Sequence, residues 1–177
     1  MSRAPFQLAS LDAAHNRTAF DSGSEPLNRY LRQQATQDIR RRVAACFVAL
    51  ADKAGEVGEE NTQHIAGYYT LASASLLFTD LPASISKKLP RYPTVPTVRM
   101  GRLAVHQAFK GQGLGGALLA DALDRAARAE IAAFALMVDA KDEAAAAFYR
   151  HHGFIALPDA AQTLFLPLAS LPSLSAG

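Results

Sequence analysis

Residues 103–128 read LAV, then HQAFKGQGLGG, then ALLADALDRAAR, and this stretch decides the fold. The LAV triplet ends an apolar run with the look of a buried strand. Gly111, Gly113, Gly115 and Gly116 follow within six residues, and an amphipathic helix runs on to about Arg128. In that helix Asp121, Asp124, Arg125 and Arg128 recur at i, i+3, i+4, i+7 and are expected to form one solvent stripe. Leu114, Leu118, Leu119, Ala122, Leu123 and Ala126 fill the rest. A glycine-rich turn leading into a helix start is an anion site. Glycines let N–H groups converge without Cβ clashes, the first-turn N–H groups are unpaired, and the helix dipole adds about half a positive charge. Two glycines inside a first helical turn cost roughly 1 kcal/mol each relative to alanine. Close approach of a pyrophosphate is one candidate for what offsets that cost.

The residues alone leave several readings open. Gly111, Gly113 and Gly116 satisfy the dinucleotide pattern G-x-G-x-x-G, and Asp139 lies just past a second strand. Against it, the 61 residues after Gly116 are too few for a six-stranded doubly wound sheet. A Walker-type loop is excluded because no Lys-Ser/Thr pair follows the glycines. A tight strand–helix turn without a ligand stays open. The run Lys110-Gly111-Gln112-Gly113-Leu114-Gly115 resembles the acyl-CoA motif of GNAT-superfamily N-acetyltransferases, Gln/Arg-x-x-Gly-x-Gly/Ala, with Lys110 keeping a cation where Gln or Arg is usual. The preceding Arg102-Leu103-Ala104-Val105 matches the family strand that pairs with pantetheine. The resemblance implies acetyl-CoA as cosubstrate, held by Leu103, Ala104, Val105, Lys110, Gly111, Gln112, Gly113, Leu114, Gly115, Gly116 and Phe148.

A chain of 177 residues, half of them hydrophobic, fits one domain, with a core over about 6–168 and a frayed Ser/Pro/Ala-rich tail over 169–177. The net charge of +2 says little, but Arg29, Arg32, Arg40, Arg41 and Arg42 against Asp38 concentrate positive charge within residues 29–42. Lys87, Lys88 and Arg91 form a second basic stretch. Cys46 is the single cysteine, so an intrachain disulfide is excluded, and it reads as a small buried hydrophobe. There is no clustered Cys/His metal signature, and no apolar segment approaches the ~20 residues that span a bilayer. MSRAPFQLAS lacks an apolar signal core, so a cytoplasmic protein is expected.

In chain order, residues 6–11 suggest a strand. Ser24 can cap a helix whose first turn holds Pro26 and whose apolar face is Leu27, Tyr30, Leu31 and Ala35. Residues 43–51 and 64–77 read as strands around a hairpin loop at 52–62 that carries Glu56, Glu59 and Glu60. Residues 79–96 hold four prolines and read as loop with a short helix at most. Residues 97–105 are the motif strand and 133–139 another buried strand. Residues 142–152 are a helix with Gly153 as its C′ residue, and 154–157 and 163–168 are closing strands. The order predicts an α/β protein with a mixed central sheet flanked by helices, which is the GNAT fold.

A narrower resemblance spans most of the chain. Phe20-Asp21-Ser22-Gly23, Leu27-Asn28-Arg29-Tyr30-Leu31, Ala66-Gly67-Tyr68-Tyr69-Thr70 and Ala145…Phe148-Tyr149…Gly153-Phe154 are similar to GNAT toxins of bacterial toxin–antitoxin pairs. The resemblance implies acetylation of the α-amine of aminoacyl-tRNA, silencing by a small ribbon-helix-helix antitoxin, and leaves a homodimer open. It carries over Val105 N–H as the oxyanion donor and Tyr149 as the general acid. Arg29, Arg32, Arg40–Arg42, Lys87, Lys88 and Arg91 are then expected to hold tRNA phosphates. One absence bears on the acceptor: VRMGRLAVHQ, residues 98–107, contains no carboxylate base. A lysine amine with pKa near 10.4 is only about 0.04% neutral at pH 7, whereas an α-amine near 8 is roughly 10% neutral. An α-amine acceptor is favoured. The other readings are an acetyltransferase of a small-molecule or peptide N-terminal amine, and a protein that binds acyl-CoA without turnover.

Overall fold

A computed structural model describes residues 6–52 and 63–172. The hairpin loop expected at 52–62, apart from Asp52, and the tail beyond 172 lie outside the described residues. Seven strands, β1 (Gln7–Ser10), β2 (Ala45–Asp52), β3 (Gln63–Leu77), β4 (Thr94–Val105), β5 (Ala135–Asp139), β6 (Ile155–Leu157) and β7 (Ala160–Pro167), are bonded in the order β1-β2-β3-β4-β5-β7-β6. β4 and β5 run parallel, while β1–β2, β2–β3, β5–β7 and β6–β7 are antiparallel. The sheet is therefore mixed, as expected. The described residues divide into two compact units, one up to Ala72 with Arg102–Ala122, the other Ser73–Gly101 with Leu123 onward, and β3, β4 and the helix α4 (Leu114–Arg128) contribute to both.

In the first unit the helical run after Ser24 comprises α1 (Glu25–Arg29), a π turn (Tyr30–Gln34) and α2 (Ala35–Arg40). Ser24 stands at the N-cap, but its side chain makes no capping bond. Tyr30, Leu31 and Ala35 are buried with Val48, Ile65 and Tyr68. Arg102 of β4 lies over the Tyr30 ring, 3.5 Å from guanidinium carbon to ring centroid, and the Tyr30 hydroxyl donates to Asp38 at 2.8 Å. A bulge in β3, where Ala49 faces Gly67 but Leu50 faces Ile65, breaks the strict alternation and puts Ile65 in the same cluster as Tyr68. Arg42, just past α2, adopts a left-handed φ of 59°. Val43 N–H reaches back to Asp38 O at 3.0 Å, the bond of a helix end that usually carries glycine.

Helix α4 sits on β3 through Gly67. A Cβ there would lie 2.9 Å from Ala104 O and 2.9 Å from Leu118 Cδ1, with Leu114 Cδ2 at 3.3 Å. Asp121 does not belong to a purely solvent-facing stripe: its carboxylate accepts from the Tyr69 hydroxyl of β3. Helical spacing placed it with Asp124 and Arg128, but a tyrosine reaching from the sheet draws that edge of the helix inward.

In the second unit the parallel register runs Thr97–Met100 against Ala135–Val138, and β7 covers the other edge of β5. Leu76, Leu81, Val95, Met137, Leu157 and Phe165 form its core, with α3 (Ala83–Ser86) contributing Ile85. Helix α5 (Glu143–His151) starts at Asp142, whose carboxylate accepts from Ala145 N–H at 2.8 Å. It ends with Gly153 at φ 93° and Phe154 N–H on Tyr149 O at 3.1 Å. Because Ala104 O belongs to backbone that cannot swing aside, Gly67→Ala should cost about 1–3 kcal/mol. The melting temperature should fall by about 2–4 °C per kcal/mol, read by differential scanning calorimetry.

Candidate active site

The glycine turn is built as the sequence requires. Gly111 and Gly113 hold φ of 82° and 79°, and a Cβ on either would meet nothing within 4 Å. Their need for glycine is thus backbone conformation, and the space in front of them is open. Leu114 is buried on Gly67, which points the helix axis out of the turn. The first helical N–H that bonds back is that of Ala117, to Gly113 O at 3.1 Å. The N–H groups of Leu114, Gly115 and Gly116 precede the helical ladder, and no acidic residue stands in that turn. An open, left-handed, carboxylate-free helix start of this kind fits a pyrophosphate, whose negative oxygens these N–H groups and the dipole attract.

What the sequence did not disclose is how this turn is held. A polar stretch at 19–28, a loop that runs into the first turn of α1, grips the segment before the glycine turn. Asp21 O accepts from Gln107 N–H at 2.9 Å, and the Asp21 carboxylate accepts from the Gln107 side-chain amide at 2.9 Å. The same carboxylate accepts from Gly23 N–H at 2.9 Å and from the Asn28 amide at 3.0 Å. Buried Asn28 in turn accepts from Ser22 N–H and Ser22 Oγ at 2.8 and 2.9 Å. His106 Nδ1 accepts from Ala108 N–H, its Nε2 faces Ala19 O at 3.1 Å, and its own N–H bonds Ala66 O. Lys110, expected on the cofactor, donates its ammonium to Ser22 O at 2.8 Å. That bond ties its side chain to the 19–28 stretch and uses one of the ammonium's three N–H donors. The only local sign was the turn-forming run Asp21-Ser22-Gly23.

Gly23 N–H first, then the Asn28 and Gln107 amides, hold the Asp21 carboxyl below the ordinary carboxylate range. A lowered folded pKa adds stability that is present above about pH 4 and lost as pH falls through the folded value. The grip is therefore intact at neutral pH.

The second unit holds the candidate acid. Tyr149 is buried, its ring packed on Phe148 and Phe154 at centroid distances of 5.3 and 5.5 Å. Burial pushes its pKa up to about 12. Among the described residues the hydroxyl takes no hydrogen-bond partner, yet no fully buried side-chain oxygen lacks one, so this oxygen is not sealed in. Phe148 also touches His152, the residue at the C-terminal cap of α5. Among the basic residues, Arg29, Arg40, Arg41 and Arg42 are exposed in the first unit, and Lys87, Lys88 and Arg91 in the second. Arg32 differs, for its guanidinium pairs with Glu25 at 3.0 Å and reaches Phe20 O at 3.5 Å. Among the described residues no cluster of three His, Cys, Asp or Glu could hold a metal, and no helix is long and apolar enough to cross a membrane.

The hold of Asp21 on Gln107 can be tested by substitution. Asp21→Ala should weaken acetyl-CoA binding several-fold by calorimetry. Combining Asp21→Asn with Gln107→Glu keeps one bond across the pair with donor and acceptor exchanged, and should recover most of the affinity.

The comparisons with known proteins agree with this geometry. The family model described as acetyltransferase (GNAT) domain matches residues 44–156. A tRNA-acetylating toxin of Mycobacterium tuberculosis is 33% identical over 153 residues, covering 85% of this chain and 83% of its own. AtaT complexed with acetyl-methionyl-tRNAfMet has a TM-score of 0.83 at 30% identity, covering 93% of this chain and 96% of its own. A mutant AtaT toxin bound to the C-terminus of the antitoxin AtaR and acetyl-CoA has a TM-score of 0.75 at 26% identity, with 94% and 96% covered. With its mixed seven-stranded sheet and its open glycine turn at a helix start, the chain belongs to the GNAT family of acetyl-CoA-dependent acetyltransferases.

Proposed function

We propose that this chain moves acetyl from acetyl-CoA to the α-amine of aminoacyl-tRNA, and that it is the translation-blocking toxin of a toxin–antitoxin pair. The observation that carries the reading is the identity to a tRNA-acetylating toxin across most of both chains. The absence of any carboxylate between Val98 and Gln107 supports it, since an α-amine needs less help to lose its proton than a lysine does. On this reading the chain acts as one domain in the cytoplasm, with a small ribbon-helix-helix antitoxin and a homodimer as its assemblies.

Each residue has a role. The N–H groups over 112–116 hold the pyrophosphate, Leu103–Val105 align the pantetheine, and Phe148 packs beside it. The amine nitrogen attacks the thioester carbon, and Val105 N–H stabilises the charge that develops on its oxygen. The carbon–sulfur bond then breaks, and Tyr149 gives its phenolic proton to the departing sulfur while water returns the proton lost by the amine. A phenol raised to about pKa 12 stays protonated throughout the working range, which suits an acid and not a base. Arg29 and Arg40–Arg42, and in the other unit Lys87, Lys88 and Arg91, meet phosphates. Arg32 joins them only by leaving Glu25. An acetyltransferase for small amines would need no such exposed cations.

Tyr149→Phe should keep acetyl-CoA affinity and lose about 10²-fold or more in kcat. In the wild type, kcat/KM for charged tRNA should rise to the amine pKa, which esterification of the neighbouring carboxyl holds below about 8, and stay level to about pH 10, because the raised pKa of Tyr149 leaves it protonated there. A decline between pH 8 and 10 would remove Tyr149 as the acid. Charge reversal at Arg40, Arg41 and Arg42 should weaken tRNA modification and lower the salt slope by about one unit for each phosphate no longer held. Acetyl-CoA affinity should not change.

A further inference from the structure

Four of the five tyrosines, Tyr30, Tyr68, Tyr69 and Tyr149, are buried, whereas Tyr92 is 68% exposed. Its position is firmly held. Tyr92 N–H bonds Pro90 O at 3.0 Å, Phe78 N–H bonds Pro93 O at 3.1 Å, and the prolines on either side fix their own φ. The ring therefore stands out from an ordered stretch between α3 and β4, and no packing role accounts for it. Lys87, Lys88 and Arg91 on the same stretch are exposed, and no Asp or Glu occurs between Asp80 and Asp121.

We propose that Tyr92 is a stacking platform for an unpaired RNA base, with Lys87, Lys88 and Arg91 on the phosphates that flank it. The proposal rests on charged tRNA being the acceptor, since its amino acid is carried on an unpaired 3′ strand. An aromatic face offers every base the same partner, and the neighbouring cations supply attraction to the backbone. Charge argues against the other occupant, a second copy of this chain. A two-fold contact sets a patch against itself, and here it would bring six cations together.

The chain lacks tryptophan, so tyrosine fluorescence can be followed directly. The full chain is titrated with an unstructured single-stranded RNA hexamer and with the same hexamer in a duplex, over a range of salt. The single strand should quench the wild type, and the duplex should not. Tyr92→Ala should weaken hexamer binding and raise the KM for charged tRNA by roughly 5- to 150-fold. Its salt slope should be unchanged, because stacking releases no counterions. Tyr92→Phe should stay within about twofold of wild type. Lys88→Ala should lower the slope by about 0.7. Equal hexamer affinity in Tyr92→Ala and wild type overturns the proposal. So does a Tyr92→Ala protein that sediments as a monomer where the wild type is a dimer and binds the hexamer as well per site. The hexamer titration needs no acetyl transfer. Stacking without acetylation of charged tRNA would sink the function reading alone, and acetylation with an unchanged KM in Tyr92→Ala would sink the stacking alone.

Discussion

Everything at the glycine turn depends on how closely α4 approaches β3. At Gly67 there is no room for even a methyl group between the strand, the carbonyl of Ala104 and Leu118. Leu114 and Leu118 drop onto bare backbone, which fixes where the helix begins. The chain must then travel from Val105 to Leu114 and arrive with its N–H groups facing outward. Two left-handed glycines make that path available, and a side chain at either would be strained even though space is open.

The polar groups along that path divide by role. Up to Lys110 they are committed to the protein: His106 to Ala19, Ala66 and Ala108, Gln107 to Asp21, and Lys110 to Ser22. Beyond Lys110 the helix start presents N–H groups that precede its own ladder. A helix start that offers unpaired N–H groups to an anion gains from rigidity, because ordering it at the moment of binding would subtract from affinity. Here the ordering is done on folding, by a stretch 86 to 88 residues upstream in sequence.

Features written in local pattern were legible. The 3.6-residue period of α4, the apolar β3, the glycine at the end of α5 and the spacing of Gly111 and Gly113 all led to the observed elements. Features that depend on long-range hydrogen bonds were not. Nothing near Gln107 announces Asp21, and nothing in α4 tells that Asp121 is met by Tyr69. Lys110 reads as a cation for a phosphate, and nothing near it in sequence announces its bond to the carbonyl of Ser22. The motif located the glycine turn and the helix start, but how the residues before it are held is a property of the folded chain.

The π turn at Tyr30–Gln34 has a geometric consequence for the arginines beyond it. An α-helix rotates about 100° per residue, so one extra residue in a single turn re-aims all that follows by that angle. Tyr30 keeps its ring under Arg102, while Arg40, Arg41 and Arg42 emerge in a direction that an uninterrupted helix would not give them. Insertions and deletions within this run are thus rotations of a basic surface about an anchored axis, and a related chain can redirect its cations by one residue of length without altering a single charge.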